Sequence, residues 1–287
     1  MKRPKSVALI AGGKLSSSPL ARFWLLSEML GPVKASSFRV ASRIANSLRA
    51  GHPVKDYGEF DACHLILICV PDEALARTVA ELCSAEICWR GKTVVLYSAW
   101  RDSSELRELS ARGAAVGSIT TIPGFHDLRY LVSGDKRAIQ ESKRLVENHE
   151  RRCVTIERGL KPLYLAALTC TGSLLFPLVM AASESLRHAG VTSAVSMSIL
   201  EKQLNKGLRA YARGGRRAYS RPPELANQLR ALSAADPALA RYVEKSYQLT
   251  QQLLDQPQHK AAAASARTLS VAGAQRYTSK LVAAQGR

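Results

Sequence analysis

Residues 7–21 read Val7-Ala-Leu-Ile-Ala-Gly-Gly-Lys-Leu-Ser-Ser-Ser-Pro-Leu-Ala21, a short apolar run broken by two glycines and followed by hydroxyl residues and a proline. The apolar run predicts a strand buried on both faces, and Ser18-Pro19 predicts the cap and first turn of a helix. A strand–turn–helix of this composition reads as the opening of a Rossmann-type βαβ unit. Glycines there allow a tight turn and let a pyrophosphate approach the backbone. The pattern is worn, with Ala11, Gly13 and Ser16 at the three glycine positions. Gly12, Gly13, Lys14, Leu15 and Ser16 are the candidate cofactor-binding residues, since backbone N–H groups at a helix start face an anion. An ordinary turn without a ligand fits the same residues, and the pattern of the downstream chain has to decide between the two.

Further along, strands and helices alternate. Apolar runs at Val7–Ile10, His64–Val70, Thr93–Tyr97 and Val116–Ile122 have the length and continuity of strands in a parallel sheet. Leu20–Leu30, Ala41–Arg49, Glu73–Leu82 and Ser104–Arg112 carry apolar residues at helical spacing. A further strand near Tyr130–Gly134, a helix near Lys136–Asn148 and a strand at Cys153–Ile156 complete this half. The expected fold is α/β, a Rossmann-type doubly wound parallel sheet followed by an all-α C-terminal domain. Alternation stops at Leu160. This gives a Rossmann-like nucleotide-binding domain over residues 1–158, a helical domain for substrate or dimerisation over 159–255, and an Ala/Gln-rich basic tail over 256–287.

The end of the second strand selects among nucleotides. An NAD enzyme places an acid there to hold the ribose hydroxyls. Residues 33–43 instead offer Ser36, Ser37, Arg39 and Arg43, and no acid. Hydroxyls followed by guanidinium groups suit a 2′-phosphate, so Ser37, Arg39 and Arg43 are assigned to NADP. The plainer alternative is that both arginines solvate a helix start.

Forty-one Lys and Arg face 23 acids, a net charge of +18. Arg209, Arg213, Arg216, Arg217 and Arg221 cluster in one stretch, and Lys260, Arg267, Arg276, Lys280 and Arg287 come after Asp255 without an acid. No basic stripe is interleaved with aromatics, so a small-molecule substrate, and not nucleic acid, is the expected partner. A basic scaffold using Arg209–Arg221 is the lesser alternative. Cys63, Cys69, Cys83, Cys88, Cys153 and Cys170 form no CxxC pair and show no metal-like spacing with histidine. They sit mostly in apolar runs, which points to the reducing cytoplasm and to no metal site. The N-terminal apolar run is too short for a signal peptide. Leu163–Ser183 contains no charged residue over about the length needed to cross a bilayer. Its Thr, Gly, Ser and Pro content and mixed flanks favour a helix buried on all sides instead.

The order of residues resembles the bacterial proteins that join a Rossmann-like domain to the helical domain of unknown function 2520. These are distant relatives of the 6-phosphogluconate, β-hydroxyacid and pyrroline-5-carboxylate reductase group. The resemblance spans about residues 5–255. It is carried by Asp61 before the strand at His64–Val70, then Val70-Pro71-Asp72, Tyr97-Ser98-Ala99 and Gly113-Ala-Ala-Val-Gly-Ser118. Phe125, Ser133-Gly134-Asp135 and Lys161-Pro-Leu-Tyr164 come next. It implies NADP binding with Val70 and Pro71 at the cofactor, and a homodimer formed through the helical domain. The chain departs from the pattern in the cleft. Tyr97 stands where relatives often have histidine, Thr120-Thr121 where they have His-Pro, Tyr164-Leu165 for Tyr-His, and Gly172-Ser173 for Ser-Asn.

For hydride transfer the protein must orient the reactants and exchange one proton. Lys161, at the start of the apolar helix, is the first catalytic candidate, because desolvation and the helix dipole both lower an ammonium pKa. Tyr164 shares its face, and in the related dehydrogenases a lysine at this helix start takes the acid/base role. Ser98, just past a strand's carboxyl end, lies where open α/β sheets bind ligands. Each has a plainer reading: a solvated lysine, a core tyrosine, a loop serine. His126 is a candidate substitute for the missing family histidine, and His64 reads as structural. The residues thus support an NADP-dependent oxidoreductase acting on a small carbonyl or imine compound. A non-catalytic NADP-binding or regulatory protein is the second reading.

Overall fold

The computed structural model describes residues 7–12, 23, 28–124, 129–146 and 153–256. The chain divides into two compact units, Met1–Thr171 and Gly172–Arg287.

In the first unit the apolar runs become strands. β1 (Val7–Ala11), β2 (Leu30–Lys34), β3 (His52–Pro53), β4 (Leu65–Cys69), β5 (Thr93–Tyr97), β6 (Ala115–Ile122), β7 (Arg129–Gly134) and β8 (Cys153–Thr155) form one sheet. Its strand order is β3-β2-β1-β4-β5-β6-β7-β8. The strands from β3 across to β6 in that order are mutually parallel. The sheet departs from the all-parallel expectation at its end, where β7 runs antiparallel to β6 and β8 pairs parallel with β7. A short connection from β6 reaches an antiparallel neighbour without a crossover helix.

Successive side chains of β1, β4 and β5 feed opposite faces. Val7, Leu9, Leu65, Leu67 and Val95 join one core with Phe23, Ile44 and Tyr130. Ala8, Ile10, Ile66, Ile68, Val94 and Leu96 join the other with Phe60, Leu75, Leu82 and Trp89. Period-two alternation with both faces apolar requires cover on both sides. That cover includes α1 (Phe38–Leu48), α2 (Asp72–Ser84), α3 (Arg107–Ala111) and α4 (Lys136–Leu145). The β6–β7 crossing depends on glycine. Gly134 has φ +130°, and a Cβ there would collide with Gly117 Cα and the Val116 carbonyl. The helix expected over Leu20–Leu30 ends earlier: Glu28 and Met29 are helical, but Leu30 opens β2. Leu30 is buried in the sheet core, so burial within the strand overrides its helical spacing.

α5 (Lys161–Thr171) belongs to the first unit. The second unit contains α6 (Leu175–His188), α7 (Ser193–Gly214), α8 (Leu225–Ala235) and α9 (Pro237–Asp255). Asp236 caps α9, accepting from the Ala238 and Leu239 amides at 2.9 and 3.0 Å, with Pro237 opening the helix. Lys161–His188 is long and apolar enough to cross a membrane by length and composition. The buried helix expected here is not what the single chain presents, because only 6% of its most apolar window is buried. Among the described residues of the second unit, only Ala181, Ser196 and Ala240 are buried. Among the described residues, little apolar surface covers these helices.

Candidate functional site

The carboxyl ends of β1, β2 and β4 enclose a cavity of about 330 Å³ lined by residues that include Gly12, Lys34, Ala35, Ser36, Val70 and Pro71. This is the edge at which open α/β sheets take ligands. Gly12 is required there by the protein itself. Its amide bonds the Cys69 carbonyl at 2.9 Å, and a Cβ would come within 2.8 Å of Pro71 Cδ. Gly12, Val70 and Pro71 are therefore brought together as the sequence suggested. Gly13, Lys14, Leu15 and Ser16 lie outside the described residues.

At the end of β2 the side chains divide between the helix and the cavity. The Ser37 hydroxyl caps α1, accepting from the Val40 amide at 3.3 Å. Arg39 and Arg43 are exposed on α1 and do not line the cavity. The cations that line it are Lys34 and Arg77, which sequence reading passed over. Lys34 Nζ lies 5.3 Å from the centre of the Tyr57 ring, within cation–π range. Tyr57 donates to Glu81 at 2.8 Å, and burial together with this carboxylate pushes the phenol pKa up. Arg77 Nε is 3.6 Å from the other Glu81 oxygen. Arg77 lies beyond Pro71 on α2 and had no motif to mark it. Lys34 was discoverable as the last residue of the second strand.

The second cluster lies at the carboxyl end of β5. Ser98 is buried, and its Oγ donates to Asp72 at 3.2 Å while accepting from the Trp100 and Arg101 amides at 3.2 and 3.0 Å. Its hydroxyl is thus spent on shaping the loop. Arg101 also pairs with Asp72, at 3.5 Å. Asp72 opens α2 directly after Pro71, so this carboxylate ties the Val70–Pro71 loop that lines the cavity to the Ser98–Asp102 loop.

Lys161 closes the cluster from α5. Only 1% of the residue is exposed, and Nζ donates to the carbonyls of Ser98 at 2.6 Å and Arg101 at 2.7 Å. Its backbone N–H reaches Asp102 Oδ2 at 3.3 Å. Asp102 is also buried and holds Ser103 Oγ at 2.9 Å. Burial lowers the Lys161 pKa to about 8, against the opposing pull of Asp102 and Asp72. The geometry has a chemical consequence. A neutral amine carries two N–H bonds, which the two carbonyls accept, leaving its lone pair on the remaining tetrahedral position; the ammonium carries a third proton there. Proton exchange is confined to that one direction.

Tyr164 lies one turn on, with a buried hydroxyl that has no hydrogen-bond partner among the described residues and a pKa raised by burial. The three catalytic candidates do not form one set of free groups: Lys161 meets the backbone of Ser98, and the Ser98 hydroxyl is engaged elsewhere. His126 lies outside the described residues. His64 faces Glu141 at 3.6 Å. No group of three or more potential metal ligands occurs among the described residues.

Fold and site together define a Rossmann-type α/β unit followed by a helical unit. Solved structures of the same fold include a Bacteroides fragilis protein named as an NADP oxidoreductase (16% identity, TM-score 0.64, covering 88% of this chain and 97% of that one). An imine reductase from Aspergillus terreus in complex with NADPH4 and a dibenzazepine matches at 16% identity and TM-score 0.61, over 87% of this chain and 96% of that one. A variant imine reductase from Myxococcus stipitatus in complex with NAD+ matches at 16% identity and TM-score 0.59, over 83% and 87%. No protein-family model and no curated protein matches the sequence.

Proposed function

We propose that the protein is an NADP-dependent oxidoreductase that reduces a small carbonyl or imine compound. The observation that carries this reading is Lys161: a buried amine with one free tetrahedral direction, tied through Ser98 and Asp72 to the loop that lines the nucleotide cavity. The cavity fits the cofactor. It has Gly12 beneath it, no acid at the end of β2, and Lys34 and Arg77 to meet a 2′-phosphate. Among the described residues the one carboxylate on its wall, Glu81, is engaged by Tyr57 and Arg77. Bound NADPH supplies the hydride. Lys161 supplies the proton to the substrate oxygen or nitrogen, and Asp102 and Asp72 hold it in register. The imine-reductase neighbours agree with this chemistry. Placement among the proteins with the 2520 domain rests on the ordered sequence marks alone.

The same reading includes a homodimer through the helices. Phe176, Met180, Met197, Leu204, Leu208 and Tyr211 are between 40% and 67% exposed. Among the described residues of the helical unit only three are buried, fewer than a folded unit of this size needs, and a second copy supplies the cover. A cytoplasmic location is supported by the six free cysteines.

One observation favours the alternative of a non-catalytic NADP-binding protein. Two N–H bonds of Lys161 already serve the fold, and the side chain is enclosed. Calorimetric titration with NADPH, followed by a screen of ketones, imines and 2-keto acids for NADPH oxidation, separates the readings. The enzyme is expected to bind NADPH and to turn over at least one class, with Lys161→Ala abolishing turnover and sparing binding. Binding without turnover supports the non-catalytic NADP-binding protein, and no NADPH binding removes both.

A further inference from the structure

The basic stretch from Arg209 to Arg221 has no part in that reading. On α7 its first two arginines, Arg209 and Arg213, extend a row that begins at Lys202 and Lys206, at spacings of four, three and four residues. This spacing puts all four on one face of the helix. At 1.5 Å per residue the row is about 16 Å long. All four are exposed, none forms an ion pair among the described residues, and residues 202–223 contain no Asp or Glu. Met197, Leu200, Leu204, Leu208 and Tyr211 fall on the opposite side. Beyond α7, the Arg216 guanidinium donates to the Leu253 carbonyl and, at 3.1 Å, to that of Gln256. The end of α9 is thereby held beside Arg216, just past the end of this row.

We propose that this face of α7 binds the phosphate backbone of a double-stranded nucleic acid without reading its sequence. A duplex carries one negative charge per about 1.7 Å of axis, so the row can meet several phosphates at once. The lack of interleaved aromatics argues against single strands, whose bases need stacking platforms, and leaves duplex phosphate contacts unaffected. A membrane surface fits less well. A helix lying in a bilayer inserts its apolar side, and the homodimer proposed above already covers that side of α7, leaving only the charged row for a partner. Self-association through this face is also disfavoured, because a two-fold contact would set the row against its own copy. The apolar side is the one left for a second copy.

The test uses the full chain and a short fluorescently labelled DNA duplex, followed by anisotropy. With four phosphate contacts, log K should fall against log salt with a slope near −3.6, about a hundredfold between about 50 and 200 mM NaCl. The double variants K202Q/K206Q and R209Q/R213Q should each flatten the slope by about 2, since each removes two contacts. Lys, Arg and Gln have similar helix propensity, so helical circular dichroism should be unchanged. NADPH binding by both variants should equal that of the parent, which keeps this outcome distinct from failure of the cofactor reading. No duplex binding at the lowest salt overturns the proposal. So does an unchanged slope in both variants, which would place binding elsewhere, or tighter binding to phosphatidylserine vesicles than to the duplex.

Discussion

Lys161 Nζ lies 2.6 Å from the Ser98 carbonyl oxygen, so a side chain from α5 and the carboxyl end of β5 are held by a direct hydrogen bond. Together with the bond to the Arg101 carbonyl, it fixes the amine in one orientation. Its protonation state therefore decides whether a proton is present in the one free direction.

With the Lys161 pKa near 8, reduction should be fastest below that value and fall as pH rises through it, because the ammonium is the form that donates. The reverse oxidation should rise over the same range. Stability moves separately. The folded pKa is below the ordinary 10.5, so between about 8 and 10.5 the unfolded chain binds more protons, and stability should rise with pH across that window. Stopped-flow pH profiles and urea unfolding at several pH values check both. A reduction profile flat across pH 8 would remove Lys161 as the donor.

Asp102→Asn separates positioning from chemistry. Asp102 is buried, accepts from the Lys161 amide and Ser103 Oγ, and raises the Lys161 pKa. Without its charge the inflection in the reduction profile should move to lower pH. Disturbing the two bonds should cost about 1–3 kcal/mol in urea unfolding. A loss of stability with the inflection unmoved would mean that Asp102 serves the fold alone.

The fold was readable because the strands are short apolar runs bounded by turn residues, and β1, β4 and β5 fall where those runs lie. The site was readable only in part. Gly12, Val70, Pro71 and Lys161 had either a local pattern or a family position, and all belong to the two clusters. Arg77 and Asp102 gained their places from tertiary packing, which leaves no spacing signature. Ser98, Ser37, Asp61 and Asp135 show the converse. Asp61 holds the Cys88 amide at 2.9 Å and Asp135 the Val116 amide at 2.8 Å, so residues that carry the family resemblance are here engaged with backbone polar groups.

Gly12→Ala should damage folding and cofactor binding together. The added Cβ meets the rigid Pro71 ring, and separating β1 from the Val70–Pro71 loop should cost about 1–3 kcal/mol and weaken NADPH. Gly207→Ala is the contrasting case. Gly207 sits within α7 with nothing within 4 Å of an added Cβ, so alanine should stabilise by roughly 0.5–1 kcal/mol. Urea unfolding and NADPH titration of both variants test the contrast. Equal and small effects would show that Pro71 yields.

The exposed side of α7 predicts the oligomer. Leu204 and Leu208 are 40% and 67% exposed on their own chain. A contiguous exposed patch of such side chains marks a surface that another molecule buries. Sedimentation at micromolar concentration should give a dimer, and Leu208→Glu should dissociate it and lower the melting temperature, because the carboxylate would be buried without a partner. The glutamate sits on a face that is open in the monomer and costs a lone chain little. A parent protein that sediments as a stable monomer, melting at the same temperature as Leu208→Glu, would defeat the dimer reading and leave the apolar side of α7 to another partner.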